Sequence, residues 1–259
     1  FVTDSLVSNL IKSNFGDILS DENSITIDQI TGSQLEEAIL ELKEKGPQAL
    51  IGIGGGRVMD YLKFIRMNTD IFTISIPTSL ATHVYASPKI HALPAIKELG
   101  YKSTIDGPLP DLSILDIHFL TNLQHSNPRL IIAGLGDLMA CTTAVYDWRL
   151  ADKNKSTIFN ESIAQMAEEI IDRLHSINVE ESLGNWIEDY CLTQVLLCNI
   201  SDWAGSAPVS GSEHLFALSA EREIYPVPLH GELVALGCII FSHIQDNNCE
   251  IVVDLVRRL

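Results

Sequence analysis

Hydrophobic positions follow two rhythms along the first half of the chain. Leu35, Ala38, Ile39 and Leu42 recur at helical spacing, and Ala49-Leu50-Ile51-Gly52-Ile53 then runs apolar without a polar break. Such a short run is the pattern of a strand buried on both faces. Ser33-Gln34-Leu35-Glu36 has the form of a capping box that opens the helix, and Gly46-Pro47 stops it. Beyond Gly54-Gly55-Gly56 the helical spacing resumes at Val58, Met59, Leu62 and Ile65. A second buried run, Ile71 to Ile76, is closed by Pro77, and a third spans Ser113 to Ile117; Phe1-Val2-Thr3-Asp4 reads as the end of a further strand. Strands alternating with helices predict right-handed βαβ units around a parallel sheet.

The rhythm changes near Thr121 to Asn127. Pro128 suits the first turn of a helix running through Leu130, Ile131 and Leu138. Ser162–His175, Glu181–Ile200, Ser212–Ala220 and Gly231–Ile244 continue in helical spacing with few strand signals. The expected organisation is an α/β nucleotide-type domain over residues 1–122 and an all-helical domain over residues 123–259. The strand-like start and the mid-helix character of Arg257-Arg258-Leu259 lead us to expect a longer natural chain, cut at both ends.

Charge narrows the class of ligand. The 259 residues carry 34 acids and 17 bases, a formal charge of −17, which excludes broad binding to a nucleic-acid backbone. Residues 1–150 hold 17 acids against 11 bases, and residues 151–259 hold 17 against 6, so the first part is the better home for a phosphate-bearing cofactor. Five scattered cysteines without a CxxC pair read as reduced, buried thiols of a cytoplasmic protein. The longest charge-free stretch, Ile71 to Pro88, contains two prolines and many hydroxyls and is no membrane span.

Two groups of residues carry chemistry. Gly54-Gly55-Gly56 lies between a strand and a helix, where a backbone without Cβ atoms can approach a pyrophosphate and the helix N-terminus supplies free amides. Arg57 stands where the usual GxGxxG motif has its last glycine, and a tight turn would explain part of the run, although three glycines exceed what a turn needs. Asp60 and Lys63, one helical turn apart, are expected to pair on the surface. Thr78 and Ser79 follow the next strand and either line the same crevice or only cap the turn. Asp137 lies among apolar and small residues, where a carboxylate must be paired or bind a cation. His214 and His230 each open a later helical run. Singly, each of the three is readily explained as a cap or a buried polar group. Together they would make a three-ligand divalent site with an open position.

Gly54-Gly55-Gly56-Arg57-Val58-Met59-Asp60, Pro77-Thr78-Ser79, Gly134-Leu135-Gly136-Asp137, Tyr146-Asp147-Trp148, Ser210-Gly211-Ser212-Glu213-His214 and Leu229-His230-Gly231-Glu232 come in the order of one family. The chain resembles the glycerol-1-phosphate dehydrogenase branch of the superfamily of iron-containing alcohol dehydrogenases, glycerol dehydrogenases and dehydroquinate synthases. The resemblance implies a doubly wound N-terminal domain that binds NAD or NADP and a helical C-terminal domain that holds Zn2+, with Fe2+ or Ni2+ as other occupants of an Asp/His/His set. It assigns metal ligation to Asp137, His214 and His230. Cofactor contact falls to Gly54, Gly55, Gly56, Arg57, Asp60, Thr78, Ser79 and Ser87. The implied partners are a small polyol or ketone, phosphorylated or not, and further copies of the chain. The implied reaction is the reduction of dihydroxyacetone phosphate to sn-glycerol 1-phosphate. Two positions depart from the family: His83 replaces a substrate-facing Asp, and Leu218 replaces a second His one helical turn after His214. His83 is the candidate catalytic proton donor, because imidazole titrates near neutrality; packing within its loop explains it equally well. The departures leave open a dehydroquinate synthase-like cyclase and a non-catalytic relative.

Overall fold

The computed structural model describes residues 1–15, 18–20, 22–102, 104–154, 156–178 and 181–258; Leu259, placed in a helix from sequence, lies outside them. The chain forms two compact units, Phe1–Ser79 with Val84–Asp116, and Leu80–His83 with Ile117–Leu259.

In the first unit the elements are β1 (Val2–Thr3), α1 (Ser5–Phe15), β2 (Ile25–Thr26), α2 (Gly32–Lys45), β3 (Ala49–Gly54), α3 (Gly56–Thr69), β4 (Phe72–Pro77), a short hairpin of β5 (Lys89–Ile90) and β6 (Ile105–Asp106) around α4 (Pro94–Glu98), and β7 (Leu112–Ser113). Five strands form one sheet in the order β2-β1-β3-β4-β7, every pair parallel, as the alternating pattern predicts. The order places β3 and β4 at the centre of the sheet, and these are the two continuous apolar runs. α3 packs on them with Val58, Met59, Leu62 and Ile65 buried.

Three local expectations need correction. The capping box belongs to Thr31 and Gln34, not Ser33 and Glu36: Thr31 Oγ1 accepts from the Gln34 amide and Gln34 Oε1 accepts from the Thr31 amide. The Glu98 carboxylate accepts from the Gly32 amide, which satisfies the first turn two residues earlier than expected. The Asp60–Lys63 pair is buried, not superficial. Lys63 Nζ stands 3.3 Å from Asp60 Oδ1 with no solvent exposure and donates to the carbonyls of Ser87 and Lys89. The third strand is only Leu112–Ser113, an edge strand with one partner, and Ile117 already belongs to a helix.

The second unit is helical: α5 (Ile117–Ser126), α6 (Pro128–Leu138), α7 (Cys141–Lys153), α8 (Glu161–Ser176), α9 (Ile187–Ala204), α10 (Ser212–Glu223), α11 (His230–Gln245) and α12 (Cys249–Arg258). α9 starts six residues later than expected, after a 3-10 turn at Leu183–Asn185. The stretch Pro128–Lys153 has the length and apolarity of a membrane-crossing helix, but 78% of its most apolar window is buried inside the fold. All five cysteines are free, and four of them are buried.

α6 and α11 cross at a contact without side chains. A Cβ on Gly231 would lie 1.7 Å from the Ala133 carbonyl oxygen, on backbone that cannot yield cheaply. Gly231→Ala is therefore expected to cost at least about 3 kcal/mol in denaturant unfolding. Gly184→Ala, where a Cβ meets nothing within 4 Å, should change stability by no more than about 0.5 kcal/mol.

Candidate metal centre

Asp137 is the penultimate residue of α6, and only 3% of it is exposed. His230 is the first residue of α11 and His214 the third of α10, so both imidazoles stand at helix N-termini. His214 Nε2 lies 3.3 Å and His230 Nε2 3.8 Å from Asp137 Oδ1. One donor atom from each of the three residues lies within 4.8 Å of the others. The structure thus brings together the three residues proposed as ligands from sequence.

The other nitrogen of each imidazole meets a carboxylate. His214 Nδ1 lies 2.9 Å from Glu213 Oε1, and His230 Nδ1 lies 2.7 Å from Glu221 Oε1. Glu213 is fully buried and also accepts from the Thr143 hydroxyl at 2.6 Å and the Gly211 amide. A carboxylate on Nδ1 fixes the tautomer with the proton there, which turns the bare lone pair of Nε2 toward Asp137. Two lone pairs then face a carboxylate oxygen, a repulsive arrangement unless a cation stands between them. Asp137 Oδ1 has no hydrogen-bond partner among the described residues. The donor set and this orphaned oxygen fit a divalent metal. Glu213 stood in the sequence beside a candidate ligand but carried no assigned role. Glu221 had no local signal, since only the meeting of α10 with the start of α11 brings it to His230.

Protons can take the place of that cation. Burial alone would raise the Asp137 pKa, but the neighbouring His83, His214 and His230 hold it well below the usual carboxylate range. Burial alone would lower the His214 pKa, yet its contacts with Asp137 and Glu213 push it up to about 9. Glu213 is likewise held low by His214 and Thr143 against its burial. Three carboxylates around two imidazoles create a demand for positive charge that protons or a divalent ion can meet.

His83 Nδ1 lies 2.9 Å from the other oxygen of Asp137, Oδ2. Leu218 is partly buried on α10.

The remaining predicted site residues lie in the first unit. Gly54 ends β3, Gly55 precedes α3 and Gly56 opens it, with no side chain capping the helix. The Thr78 amide donates to the Gly54 carbonyl at 2.9 Å, and Ser79 Cβ would lie 3.9 Å from a Cβ on Gly55. The two loops therefore run side by side beyond the carboxyl ends of adjacent parallel strands. Gly54 is glycine partly for its own fold, since a Cβ there would meet Val58 Cγ2 at 2.3 Å. The exposed Arg57 side chain reaches to 3.6 Å from Asp28. Asp60 and Ser87 are buried instead: burial raises the Asp60 pKa against the pull of Lys63, and the Ser87 hydroxyl accepts from the Lys89 amide.

Comparison with known proteins supplies the family. A sequence profile described as iron-containing alcohol dehydrogenase matches residues 1–122. The glycerol-1-phosphate dehydrogenase (NAD(P)+) of Sulfolobus acidocaldarius is 37% identical over 80% of this chain and 58% of its own length. That of Saccharolobus islandicus strain L.S.2.15 is 31% identical over 100% of this chain and 71% of its own. The chain thus spans a little over half to about seven tenths of these relatives. Glycerol dehydrogenase from Schizosaccharomyces pombe shares the fold at a TM-score of 0.71 and 18% identity, over 99% of this chain and 68% of that one. Sulfoacetaldehyde reductase from Bifidobacterium kashiwanohense, solved in complex with NAD+, does so at 0.66 and 15%, over 99% and 77%. The chain belongs to the iron-containing alcohol dehydrogenase family, with the parallel-sheet and helical architecture expected of it.

A divalent ion that binds only the folded chain stabilises it, by about 2.7 kcal/mol at a hundredfold excess over Kd. Zn2+ or Co2+ should therefore raise the melting temperature of chelator-treated protein at one ion per chain, and His214→Ala should abolish the rise. Glu221→Ala should keep the stoichiometry and weaken affinity by about 10–100-fold, read by competition with a chromogenic chelator.

Proposed function

We propose that this member of the family is a divalent-metal-dependent, NAD(P)-linked oxidoreductase. Its proposed reaction interconverts dihydroxyacetone phosphate and sn-glycerol 1-phosphate, or a related small ketone and polyol. The observation that carries the reading is the bare Asp137 Oδ1 between the Nε2 atoms of His214 and His230. When bound, the metal supplies Lewis acidity toward a carbonyl oxygen and the nicotinamide supplies hydride.

The chain's own residues do the rest. Asp137, His214 and His230 would hold the ion, while Glu213 and Glu221 orient the two imidazoles. Among the described residues the first amide committed within α3 is that of Met59, which donates to Gly55, so helix geometry leaves the amides of Gly56 to Val58 for a pyrophosphate. Arg57 adds a local positive charge, and Thr78 and Ser79 add hydroxyls beside the glycine loop. Asp60 and Ser87, both buried, are tied to each other through Lys63, on the helix that follows the glycine loop. His83 donates the proton that must follow the hydride, from Nε2, since Nδ1 faces Asp137. The free thiols accord with a reducing, cytoplasmic setting.

The test is NAD(P)H oxidation on dihydroxyacetone phosphate by metal-loaded protein. Asp137→Ala should abolish turnover. His83→Ala should lower kcat by about 10^2–10^4. Absence of turnover by the metal-loaded chain with every small ketone and ketone phosphate tried would defeat the reading.

A further inference from the structure

We infer that His83 is a positioning residue for the metal centre: its Nδ1 holds Oδ2 of Asp137, so that the carboxylate meets the ion through Oδ1 alone. The inference rests on the metal reading above and deepens it. The two carboxylate oxygens face different partners. Oδ1 faces the Nε2 atoms of His214 and His230, at 3.3 and 3.8 Å, whereas Oδ2 faces His83 Nδ1 at 2.9 Å. His83 stands beside the ligand cluster and not within it. Two atoms bound to one small ion lie within about 4.2 Å of each other, because each bond is roughly 2.0–2.1 Å long. Among the described residues, Asp137, His214 and His230 offer atoms within 4.8 Å of one another, and His83 is not in that group. Asp137 is the acid that its buried Nδ1 meets.

The backbone beneath His83 is fixed. The Cys198 thiol donates to the His83 carbonyl at 3.2 Å, and the Leu80 carbonyl accepts from the Tyr190 hydroxyl at 2.7 Å and from Gln194 Nε2 at 3.1 Å. All three donors belong to α9 and all three are buried. The loop Leu80–His83 is thus anchored at both ends, which keeps the imidazole on Oδ2. A carboxylate whose second oxygen is engaged binds a metal through one atom. Released, it can bind through both, which raises the coordination number and takes up the open position.

The experiment uses Co2+, whose visible d–d bands weaken as coordination number rises. Chelator-treated wild type, His83→Ala and His83→Asn are titrated with Co2+, and the melting temperature of each metal-free protein confirms folding. His83→Ala should bind about 10–100-fold more weakly, with weakened bands. His83→Asn, whose amide N–H can take the place of Nδ1–H, should restore affinity and bands while leaving turnover impaired. Affinity within about twofold of wild type together with unchanged bands in His83→Ala would overturn the inference. So would an Asn variant that melts like wild type but binds no better than the Ala variant. Failure of wild type to take up Co2+ would overturn the metal reading and this inference with it, whereas equal uptake by wild type and His83→Ala overturns this inference alone.

Discussion

The buried carboxylate of Asp137 is the constraint to which the second unit answers. An uncompensated charge in such a place costs several kcal/mol, so the fold must bring positive or donor groups to it. It brings three imidazoles from three separate stretches of chain. Two of these are held in turn by carboxylates that are themselves partly or wholly buried, so each layer of the site creates the need for the next. The helices carry this arrangement. His230 can stand where it does because Gly231 lets α11 rest on the backbone of α6, three residues before Gly136 and four before Asp137. Packing and electrostatics are therefore one problem here: the small-residue crossing sets the distance over which the charges act.

Much of this was legible in the sequence, for identifiable reasons. β3 and β4 showed as continuous apolar runs because they are central strands of a parallel sheet. Asp137 stood out because a carboxylate among apolar neighbours has few explanations. What stayed hidden depends on tertiary contact. The Asp60–Lys63 spacing is the same for a surface pair and a buried one, and only the carbonyls of Ser87 and Lys89 distinguish them. The helix cap moved from Ser33 to Thr31, helped by Glu98, 66 residues from Gly32, which takes an amide that local rules leave free. Glu221 became part of the site only because α10 ends near the start of α11. Edge strands such as β7 are short and half-solvated, so their pattern fades into the next helix.

The acidic character of the chain acquires a sharper meaning from the site. Under the proposed function, a protein of charge −17 that takes anionic ligands could not rely on its mean field. Attraction would then come from groups close to the ligand: amides at the uncapped start of α3, the guanidinium of Arg57, and a divalent ion in the more acidic half. Screening by salt reduces the repulsion of the distant surface acids far more than these short-range contacts. Binding would thus be governed by a handful of local donors against a nearly uniform background.

The tetrapeptide Leu80–His83 carries one more consequence. It leaves the strand–helix unit after Ser79 and returns to it at Val84, so the polypeptide passes between the two units three times, the last at Asp116. The helical unit is consequently discontinuous in the gene. A fragment starting at Ile117 would leave the Tyr190 hydroxyl and Gln194 amide without the Leu80 carbonyl and Asp137 without one of its imidazoles. Recombination that exchanged the second unit at a single crossover would separate it from part of its own centre. In evolutionary terms the two units are not interchangeable modules but halves that must be inherited together.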